Sequence, residues 1–315
     1  KSGVTYHSLQ KTHRWDVLGF FYRLIRLLRQ LNPDILHGYM PLQNLLVLAL
    51  KPFSRAKVVC GVRLAPVCLK RYDWLTRIVY AIEKKLIRFA NVVISNSQAA
   101  IDLYGISNIH YVPNGIDTVT FQPNQLFRHQ QRKTWHIMPE CFFVGIVGRL
   151  DPQKDYPTFL YMAHKVLQKK PTTKFICVGA LKGSYYQSYV SLSKELGLEN
   201  ALLWAGEVTD MATIYNALDV LCLTSCFEGF PNVVAEALSC GCDVVVTKAG
   251  DAPLIAGEGV EVGNVDALAE KVLAAMEKPI SPDIQMKRHQ QMVDHYRLEL
   301  LTIRTQEIFR EALSC

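Results

Sequence analysis

No two aspartates in the chain stand one residue apart. That leaves out the D-x-D carboxylate pair with which many enzymes grip a divalent cation, and no metal is expected. There is no G-x-S-x-G elbow, no Walker A loop and no G-x-G-x-x-G run, so serine hydrolysis, P-loop hydrolysis and nicotinamide chemistry lack their motifs; Gly145-x-x-Gly148 is too sparse to stand for the last. No uninterrupted apolar run approaches the roughly 18 residues of a bilayer span, and neither a signal-peptide pattern nor a Met opens the sequence. Repeats and low-complexity stretches are absent too. The nine cysteines are odd in number and fit neither a zinc spacing nor a disulfide framework. Most stand in apolar contexts and read as buried thiols of a reducing compartment.

What is present is a chain of 315 residues, 50% apolar, enough for a large core and for two domains. Its net charge of +7 is unevenly spread. Residues 1–128 hold 17 Lys and Arg against 6 Asp and Glu, whereas residues 129–315 hold 18 against 22. The basic half calls for an anionic partner: a phosphorylated substrate, an acidic membrane surface or nucleic acid. The cations are not interleaved with an aromatic stacking platform, so nucleic acid is the weakest of the three.

Along the chain, WDVLGFFYRLIRLLRQ (15–30) has helical spacing with Arg23, Arg26 and Arg29 interleaved. This basic amphipathic helix either covers a sheet or lies on a membrane surface. Strands are predicted over 34–37, 57–62, 91–95 and 109–112, alternating with helices over 41–50, 75–89 and 98–104, which implies a parallel sheet. A turn cluster, Pro113-Asn114-Gly115-Ile116-Asp117, follows. Beyond a boundary near 122–131, strands are predicted over 141–147, 174–178, 201–204, 218–223 and 243–247. Helices are predicted over 157–168, 186–196, 211–217 and 266–277, with a helical tail over 286–313.

The chain is organised around SCFEGFPNVVAEALSCG (225–241), read as strand, loop and helix, with Asn232 as N-cap and Gly241 just past the helix end. Glu228 lies on the loop over the helix N-terminus, a place that attracts an anion, and Glu236 lies within the helix. Carboxylates repel phosphate and accept from hydroxyls. A ligand with a phosphate centre and polyol ends, such as a nucleotide sugar, satisfies both; the plainer alternative is two solvated glutamates. Gly148, Arg149 and Lys154 follow a strand, where parallel sheets bind ligands, and a guanidinium with an ammonium can neutralise a departing diphosphate.

The E-x7-E element within EGFPNVVAEAL resembles that of the retaining glycosyltransferases of family 4, and GRLDPQKD (148–155) resembles their G-R-L-x-x-x-K-G, with Asp155 in place of the last Gly. PNGID (113–117) is similar to the turn that closes their first domain. The resemblance covers nearly the whole chain. It implies an α/β GT-B fold, two Rossmann-like domains with parallel sheets facing a cleft: residues 1–125 on the acceptor side, 126–285 binding the nucleotide sugar, and 286–315 crossing back to the first domain. Family members begin with a strand and a Gly-rich loop that nothing in residues 1–32 resembles, so an incomplete first domain is expected.

By the same resemblance Arg149 and Lys154 hold the diphosphate, Glu228 the transferred sugar and Glu236 the ribose. Backbone groups around Gly229, Phe230, Pro231 and Asn232 approach sugar and phosphate, the backbone up to Val208 reads the base, and Lys248 to Asp251 form the far wall. Retention is attributed to front-side attack, which needs neither a metal nor a cofactor beyond the donor. On the acceptor side, His37 and Arg63 end two strands and reach for the cleft. His37 also reads as a structural histidine, and Arg63 either meets an anionic acceptor or pairs with a carboxylate. The implied setting is cytoplasmic, peripheral to the inner face of a membrane, on a lipid-linked, polysaccharide or lipopolysaccharide acceptor. Two other readings are a non-catalytic nucleotide-sugar-binding protein, given the missing Gly-rich loop, and a sugar-nucleotide epimerase, whose chemistry needs acid/base carboxylates and histidines in the cleft and against which the E-x7-E with G-R-x4-K layout argues.

Overall fold

The computed structural model describes residues 3–10, 13, 16–63, 73–278 and 281–314. Cys68 and Cys315 lie outside them, as does Trp15 at the start of the first predicted helix.

The first half alternates α1 (Val17–Leu31), β1 (Ile35–Gly38), α2 (Pro41–Leu50), β2 (Lys57–Val62), α3 (Trp74–Leu86), β3 (Val92–Ser95), α4 (Gln98–Tyr104) and β4 (Ile109–Tyr111). The four strands pair in parallel in the order β1-β2-β3-β4, with β1 at one edge. Val58, Val59, Cys60 and Val93 at the sheet centre are fully buried, as strands covered on both faces must be. The basic helix α1 turns Phe21, Leu24, Ile25 and Leu28 inward onto Leu36 and Leu50, while Val17, Leu18 and Tyr22 on it stay exposed.

The second half contains β5 (Phe143–Val147), α6 (Tyr156–Lys169), β6 (Lys174–Val178), α7 (Ser184–Glu195), β7 (Leu202–Gly206), α8 (Met211–Ala217), β8 (Val220–Leu223), α9 (Asn232–Ser239), β9 (Asp243–Val246), α10 (Ala252–Ala256) and α11 (Val265–Met276). Its parallel sheet runs β7-β6-β5-β8-β9. The chain moves outward from β5 to β6 and β7, then returns to lay β8 on the other side of β5. The crevice between β5 and β8 is therefore a switch point, where a doubly wound sheet opens a pocket at the strands' carboxyl ends.

A helix not expected from the sequence occupies the predicted boundary. α5 (Gln125–Thr134) is capped by Asn124, whose side chain accepts from the Leu126 and Phe127 amides. It is anchored by charge: Asp219 takes Arg128 at 2.5 Å and Arg132 at 2.6 Å, and also the Phe143 amide at 2.7 Å. Replacing Asp219 by Ala strands two partly buried guanidinium groups, and the expected loss of stability is about 3 kcal/mol. Urea denaturation checks this, and an unchanged midpoint would dismiss the clamp.

The tail is two helices, α12 (Pro282–Tyr296) and α13 (Leu298–Ser314), broken at Arg297. The break fits the PNGID turn: the Ile116 amide donates to Tyr296 O at 2.7 Å, and Ile116 O accepts from Leu298 N at 3.0 Å. α12 buries Met292 in the second half's core. α13 instead places Ile308 and Ala312 against Val59, Val92 and Ile94 of the first sheet. No helix among the described residues is long and apolar enough to cross a membrane.

Candidate active site

The loops after β5 and β8 are laced together. The Cys226 amide donates to Gln153 O at 2.8 Å, the Gln153 side-chain amide donates to Phe227 O at 3.0 Å, and the Thr224 hydroxyl meets Lys154 O at 2.8 Å. This fixes the Lys154 ammonium against Glu228 Oε1 at 2.7 Å, and the Ser225 hydroxyl donates to the same oxygen at 2.7 Å. Glu228 is buried, and Lys154 nearly so. The Lys154 stem lies along Gly148: a Cβ there would stand 3.0–3.1 Å from three of its carbons, so a larger residue would push the ammonium aside. Asp155, the departure from the family pattern, adopts the left-handed backbone a glycine would take, with φ 49°. Its carboxylate caps α6, accepting from the Thr158 hydroxyl at 2.6 Å, which gives its charge a partner other than Lys154.

Arg149 does not join this pair. Its side chain is 78% exposed and among the described residues pairs with Asp151, at 3.3 Å, which leaves it open to a ligand. Glu236, on α9, is half-buried and accepts from the Tyr215 hydroxyl at 2.8 Å. Burial raises its carboxyl pKa above the ordinary value, and the Tyr215 hydrogen bond offsets part of that. Asn232 opens α9 as its first residue rather than capping it; Pro231 holds the N-cap position, and Asn232 Oδ1 accepts from the Asn114 side chain at 2.8 Å. The Phe230 ring is buried against Tyr296, so only its backbone faces outward chemistry. Val208 packs on the edge of the core below β7.

Across the cleft the first half meets this loop directly. Arg63 Nη1 donates to Asn114 Oδ1 at 2.9 Å and its guanidinium lies over the Tyr39 ring at 5.3 Å, so its partners here are an amide and an aromatic face rather than a carboxylate. His37 stacks near Tyr39, with ring centroids 4.0 Å apart, and borders a cavity of about 230 Å³ shared with Arg63, Thr302, Thr305 and Gln306. Burial and then the Arg63 charge lower its pKa to about 4, so the ring is neutral at ordinary pH, with Nε2 buried and unpartnered. Asp251 was expected on the donor wall. Its carboxylate is instead buried and accepts from the Ser97 hydroxyl at 2.9 Å, the Gln98 amide at 3.0 Å and the Tyr111 hydroxyl at 3.1 Å, all in the first half. Those bonds tie the two halves together and leave it 2% exposed.

A family model described as Glycosyl transferases group 1 matches residues 127–293, and one described as Glycosyltransferase Family 4 matches residues 3–120. The chain belongs to the glycosyl transferases group 1 family. It is 29% identical over 165 residues to a D-inositol 3-phosphate glycosyltransferase of Segniliparus rotundus, covering 51% of this chain and 36% of that one. It is 30% identical over 188 residues to the lipopolysaccharide core biosynthesis mannosyltransferase LpsB of Rhizobium meliloti, covering 58% and 53%. The matches thus span between about a third and about half the length of these relatives. The fold superposes on Anabaena HepE, solved in complex with UDP, with a TM-score of 0.82 at 20% identity over 93% of this chain and 82% of that one. The architecture is GT-B, an α/β fold of two parallel sheets.

In this family member, four residues around the site were not expected there from the sequence. Ser225 and Tyr215 orient the two glutamates, and Asn114 and Ser97 bridge the halves. Asn114 and Ser225 had a sequence cue, since they stand inside PNGID and at the start of SCFEGFPNVVAEALSCG.

Proposed function

We propose that the protein transfers a sugar, with retention, from a nucleoside diphosphate sugar to an anionic acceptor, lipid-linked or part of a polysaccharide or lipopolysaccharide. The observation that carries this reading is the Lys154–Glu228 pair at the β5/β8 switch point, a cation and an anion side by side in one pocket. A nucleotide sugar offers each its complement: the diphosphate takes Lys154 and the exposed Arg149, while the sugar hydroxyls donate to Glu228. Glu236 accepts from the ribose. The bond from the anomeric carbon to the phosphate oxygen breaks as the acceptor oxygen bonds to the same face, and the departing phosphate takes the acceptor proton. Lys154 and Arg149 stabilise the charge that grows on that oxygen. The names of the relatives, a glycosyltransferase of inositol phosphate and one of lipopolysaccharide core, support an anionic acceptor, as does the basic first half.

Calorimetric titration with a panel of nucleoside diphosphates and their sugars tests this. One base class should bind, and Glu236→Ala should weaken it about tenfold or more, the share of a lost charged hydrogen bond. Because burial raises the Glu236 pKa, affinity should fall with pH from a midpoint above the ordinary carboxylate value, as the acceptor oxygen becomes protonated. A Glu236→Gln variant should lose that dependence. No binding by the folded protein, or an unchanged pH profile in the variant, would count against the donor site.

A further inference from the structure

A cavity of about 420 Å³ opens at the end of α5. One side of it is cationic, with Arg128, Arg132 and Lys133 and the rings of His129 and His136; the other is the apolar run Ile137, Met138 and Pro139. The helix supplies the first side because residues four apart are neighbours on its surface, Arg128 beside Arg132 and His129 beside Lys133. The second side forms where the chain turns back after Thr134: the Ile137 amide donates to Arg132 O at 2.8 Å and the His136 amide to Lys133 O at 3.1 Å. With the Trp135 amide on Gln131 O at 3.1 Å, these bonds satisfy the last carbonyls of the helix, so Lys133 is not needed as a cap. His129, Lys133 and His136 are exposed, and their side chains make no hydrogen bond or ion pair among the described residues. The charge beside them does not balance. Arg128 and Arg132, with side chains 21% and 6% exposed, share the one carboxylate of Asp219. Burial holds the Arg132 pKa below its ordinary value; Asp219 offsets part of that, and the Arg128 charge adds to it. Glu140, the next acid along the chain, is exposed and stands outside the lining.

We propose that this cavity binds a small phosphate monoester, its phosphoryl group on the cations and an aromatic or aliphatic body against Ile137, Met138 and Pro139. Charge and shape together select that class. Arg128, Arg132 and Lys133 against Asp219 leave an excess of two positive charges, which a phosphate monoester dianion matches and a carboxylate only halves. The two guanidinium groups are held from behind, Arg128 Nη1 donating to Leu218 O at 3.1 Å and Arg132 Nε to Ala217 O at 2.9 Å. They set a fixed positive field, and the direct contacts fall to Lys133 and the two imidazoles. A polyol body would leave hydroxyls unpaired on the apolar wall, so a sugar phosphate fits less well than a hydrocarbon one. The volume is that of ordinary small-molecule sites. This place is separate from the donor pocket. Asp219 precedes β8 and takes the amide of Phe143, the first residue of β5, so the cavity lies at the amino edge of the second sheet, whereas the donor loops leave its carboxyl edge. Binding there does not depend on the transferase reading.

Calorimetric titration of the full chain with phenyl phosphate tests this, beside inorganic phosphate and benzoate as probes. Phenyl phosphate should bind, and each of the others about tenfold more weakly, inorganic phosphate for want of the apolar contact and benzoate for want of the second charge. Lys133→Ala should weaken phenyl phosphate about tenfold, the share of a charged hydrogen bond. Met138→Glu, which sets an acid into the apolar wall, should abolish its binding. Both side chains are exposed, Met138 at 56%, so neither change disturbs the core. Nucleoside diphosphate titration of the same variants keeps the two sites apart: each should respond as the wild type does, and a wild type that takes no nucleotide would count against the donor site alone. No binding of phenyl phosphate, equal binding of the three probes, or variants that bind phenyl phosphate like the wild type would overturn the proposal.

Discussion

Lys154→Ala is expected to lower affinity for the nucleoside diphosphate at least about a hundredfold, and turnover by about a thousandfold or more, the scale of losing a charge aimed at a developing oxyanion. The loss is larger than one missing cation accounts for. Glu228 is buried with Lys154 and Ser225 as its partners. Without the ammonium its carboxylate stays beside the site and opposes the incoming diphosphate. The single variant should therefore be less stable as well as inactive. Adding Glu228→Gln removes the orphaned charge, so the double variant should regain stability while remaining inactive. Lys154→Arg is not expected to rescue it, because the lysine stem fits along Gly148 at closest packing. Calorimetry and urea denaturation on the three variants separate the roles. Turnover within about tenfold of wild type in Lys154→Ala would show that the diphosphate is held elsewhere.

On the proposed reading, the same pair should favour a complete donor over inorganic phosphate. In the unliganded protein the two charges neutralise each other at 2.7 Å. Phosphate alone takes the lysine and leaves the glutamate unpaired, whereas a sugar diphosphate replaces both partners at once.

The strands were legible in the sequence because buried parallel strands are short continuous apolar runs with little else to be: Lys57–Val62 and Lys174–Val178 have the predicted bounds. The loops at the carboxyl ends of β5 and β8 were legible for the same reason, and with them Lys154 and Glu228. What the local pattern does not contain is contact across long separations. α5 reads as QLFRHQQRKT, too polar to announce a packed helix, and it is held by a carboxylate some 90 residues away, Arg128 and Arg132 reaching Asp219. The break at Arg297 has no proline or glycine to mark it; it exists because Ile116 pairs there. Asn232 looked like a cap because nothing local reveals that Asn114 takes its side chain.

Asp251 is the residue whose part changed most between sequence and structure, and Asp251→Ala is expected to cost about 4 kcal/mol, since it removes a buried anion from several donors at once. Ser97, the residue before α4, makes no side-chain cap of its own; the cap arrives from the other half of the molecule as Asp251, accepting from the Gln98 and Ala99 amides at 3.0 and 3.3 Å. Asp251 is in turn fixed to the loop after β8. Its amide donates to Gly229 O at 3.0 Å, and the preceding Gly250 lies so close to Glu228 that a Cβ would meet the Glu228 carbonyl oxygen at 2.3 Å. The Glu228–Gly229 backbone is therefore linked through Asp251 to α4 of the other half. Asp251→Ala should unfold at lower urea, give a larger radius of gyration by X-ray scattering, and bind the nucleoside diphosphate more weakly. Asp251→Asn, which still accepts two bonds but without charge, should fall between. A donor-wall role predicts another pattern: weaker binding with stability and size unchanged. That outcome would return Asp251 to the pocket and leave the halves held by Asn114 and α13.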